Sequence, residues 1–310
     1  MESISFYFEW EVALQAWIQS FMGSFGTAVM SFLTLFGEEV MLIGILGYIY
    51  WCYDKEFGKF IGNNVVVGIV LNPLLKNLAL RRRPYFDHPN IKCLKPVHAD
   101  ADIYDIAAQG YSFPSGHSMN SAVIYGSLPM YKKKSRVLRI LAFLMPFLVG
   151  LSRVALGVHY VTDVLMGWAL GAGLVLVFSF LQRKVKNIHL LHAIIFLVSL
   201  SGLFYCQTTD YFTGLGLMGG FFLAAPFEEK FVRFENTRSI LGSILRVLVG
   251  AALYFGINTL LKLPFSSEFL ESATMAAYLV RALRYLVVGF VLMGLYPMIF
   301  GRISALKRLP

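Results

Sequence analysis

An all-α fold, a polytopic bundle of transmembrane helices, is what this 310-residue sequence predicts, and three observations predict it. Hydrophobic residues make up 57% and charged residues only 15%, where an ordinary water-soluble domain carries about 25% charged. Apolar runs near the roughly twenty residues that cross a bilayer recur from Val40 to the C-terminus. Lys and Arg gather in short clusters between those runs. Backbone inside hydrocarbon must satisfy its own N–H and C=O groups, which for this pattern means helices.

From Phe6 to Phe36, Phe, Trp and Leu alternate with Glu9, Glu11, Gln15 and Gln19, a pattern that suits an amphipathic helix lying at the membrane interface. Spans are expected near Val40 to Tyr53, Phe60 to Leu80, Ser115 to Tyr131, Val137 to Leu156 and His159 to Leu181. More follow near Ile188 to Cys206, Phe212 to Phe227, Ile240 to Leu261 and Val280 to Phe300, about nine in all. The start of the chain, MESISFYFEWEV, is acidic and aromatic and does not resemble a cleavable signal peptide.

The net charge of +9 forms no continuous basic face, which argues against a nucleic-acid partner and for lipid headgroups or phosphate. In the nine-helix scheme Asp54 to Lys59, Lys132 to Arg136, Arg183 to Lys186, Glu228 to Arg238 and Lys307-Arg308 share a side, which the positive-inside rule makes cytoplasmic. His189 and His192 are expected at the interface on that side. Arg81-Arg82-Arg83 breaks the rule, and cations held against topology need an anionic partner. Cys52, Cys93 and Cys206 lack metal-ligand spacing; a Cys93–Cys206 bridge is a minor reading. The small residues of Gly167 to Gly171 and Gly214 to Gly220 read as close helix packing, with a homodimer contact as the secondary reading.

Three motifs carry chemistry. Lys76 and Arg83 are seven residues apart, about two helical turns, and so can share a face, with Pro84 ending the helix and turning Arg83 toward a pocket. Phe113-Pro114-Ser115-Gly116-His117-Ser118 precedes an apolar helix. Pro at the helix start, outward N–H groups and the positive end of the dipole make an anion site there. Gly116 lets an oxygen approach the backbone, Ser115 offers a hydroxyl and His117 can donate a proton. In the third, Arg153 ends one helix and His159 begins the next, and His159 and Asp163 lie four apart on one face, so the carboxylate can orient the ring. The loop from Tyr85 to Ser112, with Asp100, Asp102 and Asp105, would cover the site; His98 to Asp102 reads as a solvated loop rather than a cation site.

In order and spacing these segments resemble the three-part signature of the type 2 phosphatidic acid phosphatase family: Lys-x6-Arg-Pro, Pro-Ser-Gly-His and Ser-Arg-x5-His-x3-Asp. The resemblance covers roughly Val40 to Leu200 and implies three regions: an interfacial segment over 1–37, a six-helix catalytic core over 38–206, and three further spans over 207–310. The layout resembles the glucose-6-phosphatase and sphingosine-phosphate phosphatase branches in helix count alone. The family implies that His159 attacks phosphorus, Asp163 orients the ring and His117 protonates the leaving oxygen. Lys76, Arg83, Ser115, Gly116 and Arg153 would hold the phosphate, with vanadate as an inhibitor and no metal or other cofactor. The implied activity is hydrolysis of a membrane lipid phosphate monoester or diphosphate on the extracytoplasmic face of a bacterial plasma membrane, or the lumenal face of an endomembrane. A phosphotransferase, a glucose-6-phosphatase-like enzyme with a soluble substrate, and a non-enzymatic transporter or scaffold are the alternatives; soluble vanadium haloperoxidases share the pocket but not the spans. Arg81 stands outside the signature, so its removal is expected to leave most activity.

Overall fold

A computed structural model describes residues 6–132 and 135–302. The basic residues at 133–134 and Lys307-Arg308 lie outside the described residues. The described chain is helical: α1 (Glu9–Ser20), α2 (Ser24–Thr34), α3 (Glu39–Tyr48), α4 (Lys55–Ala79), two short turns α5 (Pro84–Asp87) and α6 (Ile106–Gln109), then α7 (Gly116–Tyr131), α8 (Arg136–Ala155), α9 (Val161–Lys184) and α10 (Ile188–Ser199). Four more follow: α11 (Thr209–Phe227), α12 (Ile240–Leu260), the short α13 (Ser267–Glu271) and α14 (Met275–Phe290).

Among these, five helices are long and apolar enough to cross a membrane: Lys55–Ala79, Arg136–Ala155, Val161–Lys184, Ile240–Leu260 and Met275–Ile299. Six is the count if α1 and α2, bent by 119° at the break between Ser20 and Ser24, form one broken span. The nine-span expectation differs because four of its runs do not form helices that are both long and apolar enough to cross. Glu39–Tyr53 and Ile188–Phe204 are short apolar helices, while α7 and α11 have 16 and 19 residues.

The chain forms two compact units, Met1–Leu42 with Leu71–Phe180, and Ile43–Val70 with Leu181–Pro310. In the first, α7 and α8 pack together and α2 lies against α8. Gly167 on α9 brings that helix onto the first turn of α7: a Cβ there would sit 2.8 Å from the Ser115 carbonyl and 3.1 Å from the Met119 nitrogen. This glycine serves packing inside the chain, as the small-residue pattern suggested first. In the second unit α11 packs on α14, where Gly216 and Gly220 serve that contact, while Gly214 faces Ile69 on α4. Lys55 and Lys59, from one of the charge clusters expected to share a side, each reach Glu228, from another, at 3.0 Å. His192, expected at the interface, is instead buried and stacks on Phe222 with ring centroids 4.1 Å apart. All three cysteines are free thiols.

The interfacial reading of the N-terminal segment is altered at its polar face. Glu11 and Gln15 are fully buried, while Trp10, Trp17 and Phe21 are exposed. The polar row that the sequence pattern assigns to water is the row this helix turns into the protein.

Candidate active site

The first motif is built where α4 ends. Leu80 adopts a left-handed conformation, φ +49°, and is buried, a strained state for a side-chain-bearing residue that the surrounding packing must hold. It stops the helix four residues before Pro84, so Arg83 is delivered by a turn and not, as the spacing suggested, by the helical face of Lys76. Pro84 still acts as expected on the residue before it, since Arg83 is extended at φ −75°, ψ 155°. The turn fans the three arginines apart. Arg81 Nη1 reaches Asp163 Oδ1 at 2.6 Å, Arg82 Nη2 reaches Asp87 Oδ1 at 2.5 Å, and Arg83 turns toward His159. Arg83 Nε donates to the carbonyls of Gln109 and Gly110 at 2.9 and 3.1 Å, and its Nη1 donates to that of Val158 at 2.9 Å and lies 3.5 Å from His159 Nε2.

The second motif is a helix N-terminus with a different register from the one expected. Pro114 lies outside the helix, Ser115 is its cap and Gly116 its first residue. Ser115 Oγ accepts from the N–H and hydroxyl of Ser118 at 3.4 and 2.9 Å, and its carbonyl accepts from Met119 N–H at 3.0 Å. Those bonds take the third and fourth amides, so Gly116 and His117 carry the first-turn N–H groups that point along the positive end of the dipole. Gly116 faces the end of α4: a Cβ there would sit 3.1 Å from Asn72 Oδ1 and 4.0 Å from Lys76 Nζ. Lys76 and the α7 N-terminus are thus brought side by side. His117 is half-buried on the same turn.

The third motif is a tight connection between α8 and α9. Gly157 has φ +80°, and the Lys92 carbonyl approaches where any Cβ would stand, so only glycine fits this turn. The turn leaves His159 before the helix, whose cap is Tyr160, and Asp163 in its first turn. Asp163 Oδ2 accepts from Tyr160 N–H at 2.8 Å and Ser112 Oγ–H at 2.6 Å, and lies 3.4 Å from His159 Nδ1. The last distance is longer than a well-formed N–H···O bond. Arg153 is buried at the end of α8. Its Nη1 donates to Thr34 Oγ1 at 2.9 Å, and its Nε, also buried, donates to no described residue. Burial holds the His159 imidazole well below its ordinary pKa range, and the charges of Arg83, Arg153 and Lys76 push in the same direction.

Every residue that the sequence nominated for the site, Lys76, Arg83, Ser115, Gly116, His117, Arg153, His159 and Asp163, belongs to the first unit. Lys76 is placed beside Gly116, and Arg83, Arg153 and Lys76 act together on His159. Sequence reasoning missed Ser112, Gln109, Thr34 and Arg81. Gln109 holds the covering loop, its Oε1 accepting from Val97 N–H at 2.9 Å and its Nε2 donating to the His98 carbonyl at 2.9 Å. Of the four, only Arg81 left a signal, as part of the cluster that broke the charge rule.

The model of the PAP2 superfamily matches residues 57–205, and that of the PAP2 superfamily phosphatase transmembrane extension matches residues 212–308. Phosphatidylglycerophosphatase B of Bacillus subtilis is 44% identical over 126 residues, 38% of this chain and 54% of that protein, so the match spans about half of the relative's length. The undecaprenyl-diphosphatase of Sulfolobus acidocaldarius is 29% identical over 51% of this chain and 70% of its own. The decaprenylphosphoryl-5-phosphoribose phosphatase of Mycobacterium tuberculosis is 31% identical over 52% and 85%. A crystal structure of a transmembrane PAP2-type phosphatidylglycerolphosphate phosphatase from Bacillus subtilis aligns with a TM-score of 0.44 at 29% identity, covering 57% of this chain and 86% of that one. With the three motifs standing inside the matched segment, the chain belongs to the PAP2 superfamily.

Proposed function

We propose that the protein is a phosphatase of membrane lipid phosphates, hydrolysing a monoester or diphosphate through a phosphohistidine at His159, on the extracytoplasmic face. The observation that carries this reading is the His159 ring, set between Asp163 Oδ2 on its Nδ1 side and Arg83 Nη1 on its Nε2 side. With the proton on Nδ1, the Nε2 lone pair points to the arginine side, where a phosphate would lie. Nε2 attacks phosphorus as the ester P–O bond breaks, and His117 gives its proton to the leaving oxygen. Water then attacks the phosphohistidine, its proton passing to His117, and the N–P bond returns its electron pair to Nε2. Arg83, Arg153, Lys76 and the Gly116 and His117 N–H groups supply positive charge around the equatorial oxygens, which is most of what phosphoryl transfer asks of a protein.

Support for a lipid substrate comes from the relatives, each named as a phosphatase of a lipid-linked substrate, and from the placement of the candidate site at the ends of apolar helices. The outward-facing site is supported by three candidate spans, α4, α8 and α9, each of which carries Lys or Arg at one end (Lys55 and Lys59, Arg136 and Arg139, Arg183 and Lys184) and a nominated site residue at the other (Lys76, Arg153, Asp163). The test is phosphate release by the full chain from phosphatidylglycerol phosphate, undecaprenyl diphosphate, phosphatidic acid and a sphingoid phosphate, with glucose 6-phosphate as the soluble control. Activity on at least one lipid, undiminished in EDTA and inhibited by vanadate, is expected. Turnover of glucose 6-phosphate alone overturns the lipid reading, and phosphate recovered on an acceptor other than water makes the protein a phosphotransferase.

A further inference from the structure

We propose that the N-terminal helix α1 is part of the catalytic centre, and that Glu11 and Arg81 form a positioning pair that fixes the Asp163 carboxylate, and through it His159, for attack. This rests on the hydrolytic role proposed for His159. Arg81 is fully buried and all its nitrogens are engaged. Nη1 donates to Asp163 Oδ1 at 2.6 Å and Thr162 Oγ1 at 2.8 Å, Nη2 to Glu11 Oε2 at 3.2 Å, and Nε to the Phe6 carbonyl at 2.7 Å. Its guanidinium lies over the rings of Phe6 and Tyr160, 4.4 and 4.0 Å from their centroids.

The geometry divides the labour of one carboxylate. Arg81 occupies Oδ1, so Oδ2 is the oxygen left for Ser112, Tyr160 N–H and His159 Nδ1. Rotation of the Asp163 carboxyl would break the 2.6 Å contact, and the ring of His159 follows the oxygen that faces it. Glu11 holds the other end of the arginine and reaches the same helix turn itself, its Oε1 accepting from both Thr162 N–H and Thr162 Oγ–H at 2.7 Å. A carboxylate, a guanidinium, a second carboxylate and an imidazole thus stand in one row. Supporting groups of this kind, one bond removed from the reacting residue, fix its orientation and tautomer.

The rest of this polar row of α1, buried Gln15 and half-buried Gln19, serves the same turn. Gln15 Nε2 donates to the carbonyls of Val154 and His159 at 2.8 and 3.1 Å. Gln19 Nε2 donates to those of Lys92 and Ala155 at 2.8 and 3.2 Å, and its Oε1 accepts from Lys92 N–H at 2.9 Å. Glu11, Gln15 and Gln19 recur every four residues on one face, and their bonds end on residues 92, 154, 155, 159 and 162, the frame of the His159 turn. Residues 9–20 lie before the segment that the superfamily model matches, 57–205. The pair also accounts for the broken charge rule: the anionic partners of Arg81 are Glu11 and Asp163.

The experiment compares Glu11→Gln, Arg81→Lys and Arg81→Ala with the unaltered full chain, with His159→Ala as the inactive reference. Phosphate release gives kcat and KM, and vanadate binding, measured by calorimetry, reports the Nε2 geometry with no substrate. Arg81→Ala should lower kcat about a hundredfold with KM changed less than about threefold. Glu11→Gln, of the same shape, should lower kcat about tenfold. Arg81→Lys should restore thermal stability but not kcat, since one ammonium cannot serve Asp163, Thr162 and Glu11 together. Vanadate affinity should fall about tenfold in both conservative variants. Where Arg81→Ala does not fold, Glu11→Gln and Arg81→Lys decide. Wild-type kcat and vanadate affinity in those two overturn the positioning role while an inactive His159→Ala upholds the phosphohistidine. Turnover by His159→Ala overturns the reading on which the pair rests.

Discussion

Arg81, Arg83 and Arg153 in the first unit and Arg246 and Arg284 in the second are all buried, yet their donors end in different places. Arg246 donates to the carbonyls of Trp51 and Glu235 and lies 4.0 Å from the Phe300 centroid, inside an aromatic cluster with Tyr50 and Tyr296. Arg284 donates to Asn258 Oδ1 at 2.7 Å. Those two tie helices and turns together through neutral acceptors. In the first unit one arginine meets two carboxylates and one stands 3.5 Å from an imidazole nitrogen, whereas a buried Nε with no described acceptor occurs in both units, at Arg153 and at Arg284. Burial of a cation is therefore not the mark of chemistry here; the mark is convergence on a histidine.

That contrast can be broken by mutation. The largest effect is expected for His159→Ala, with phosphate release at background in an assay that detects a ten-thousandth of wild type, about the residual level left when a catalytic nucleophile or base is lost. Arg83→Ala and Arg153→Ala should each cost about a hundred- to a thousandfold in kcat/KM, the usual loss for one well-placed donor. Comparable activity in either would remove that arginine from the phosphate site. Arg246→Met should do the reverse: leaving the buried Trp51 carbonyl unpaired costs about 1–3 kcal/mol, read as a lower thermal midpoint, while kcat stays within about twofold. Activity lost with the midpoint unchanged would give Arg246 a role in chemistry.

The smallest effect is in the pH profile. The attack proposed for His159 needs its neutral ring, and burial together with nearby cations lowers its pKa in the folded protein, so the neutral ring persists to more acid pH than in a free histidine. The acid limb of kcat/KM should therefore fall below the ordinary value of about 6.5. Loss of any of the nearby cations should move that limb upward. A limb already above 6.5 in the wild type would show that another group controls attack.

Much of the site was legible because the family's groups come in short stretches whose local geometry the sequence encodes. Ser115 as a cap, extended Arg83 before Pro84, and Gly157 in a left-handed turn all follow from backbone preferences within a few residues. Ser112, Gln109, Thr34 and Glu11 were not legible, because each acts on a partner at least eleven residues away and has an ordinary reading where it stands. Arg81 shows the limit most clearly. Its violation of the charge rule was visible, and the rule that such a cation needs an anion was right, but the signature drew attention to Arg83 and left Arg81 as dispensable. A fully buried guanidinium on Asp163 is the ground for proposing the opposite.

By itself the sequence determined the solvent and the helical class and nominated the residues of the candidate site, because composition, apolar run length and local turn chemistry are properties of neighbouring residues. It also marked α1 as amphipathic. Only the tertiary structure decided which face of α1 is buried, which oxygen of Asp163 meets the histidine and which arginine meets which partner. Those choices depend on through-space pairing, since a buried charge settles on whichever opposite charge the packing brings within about 3 Å.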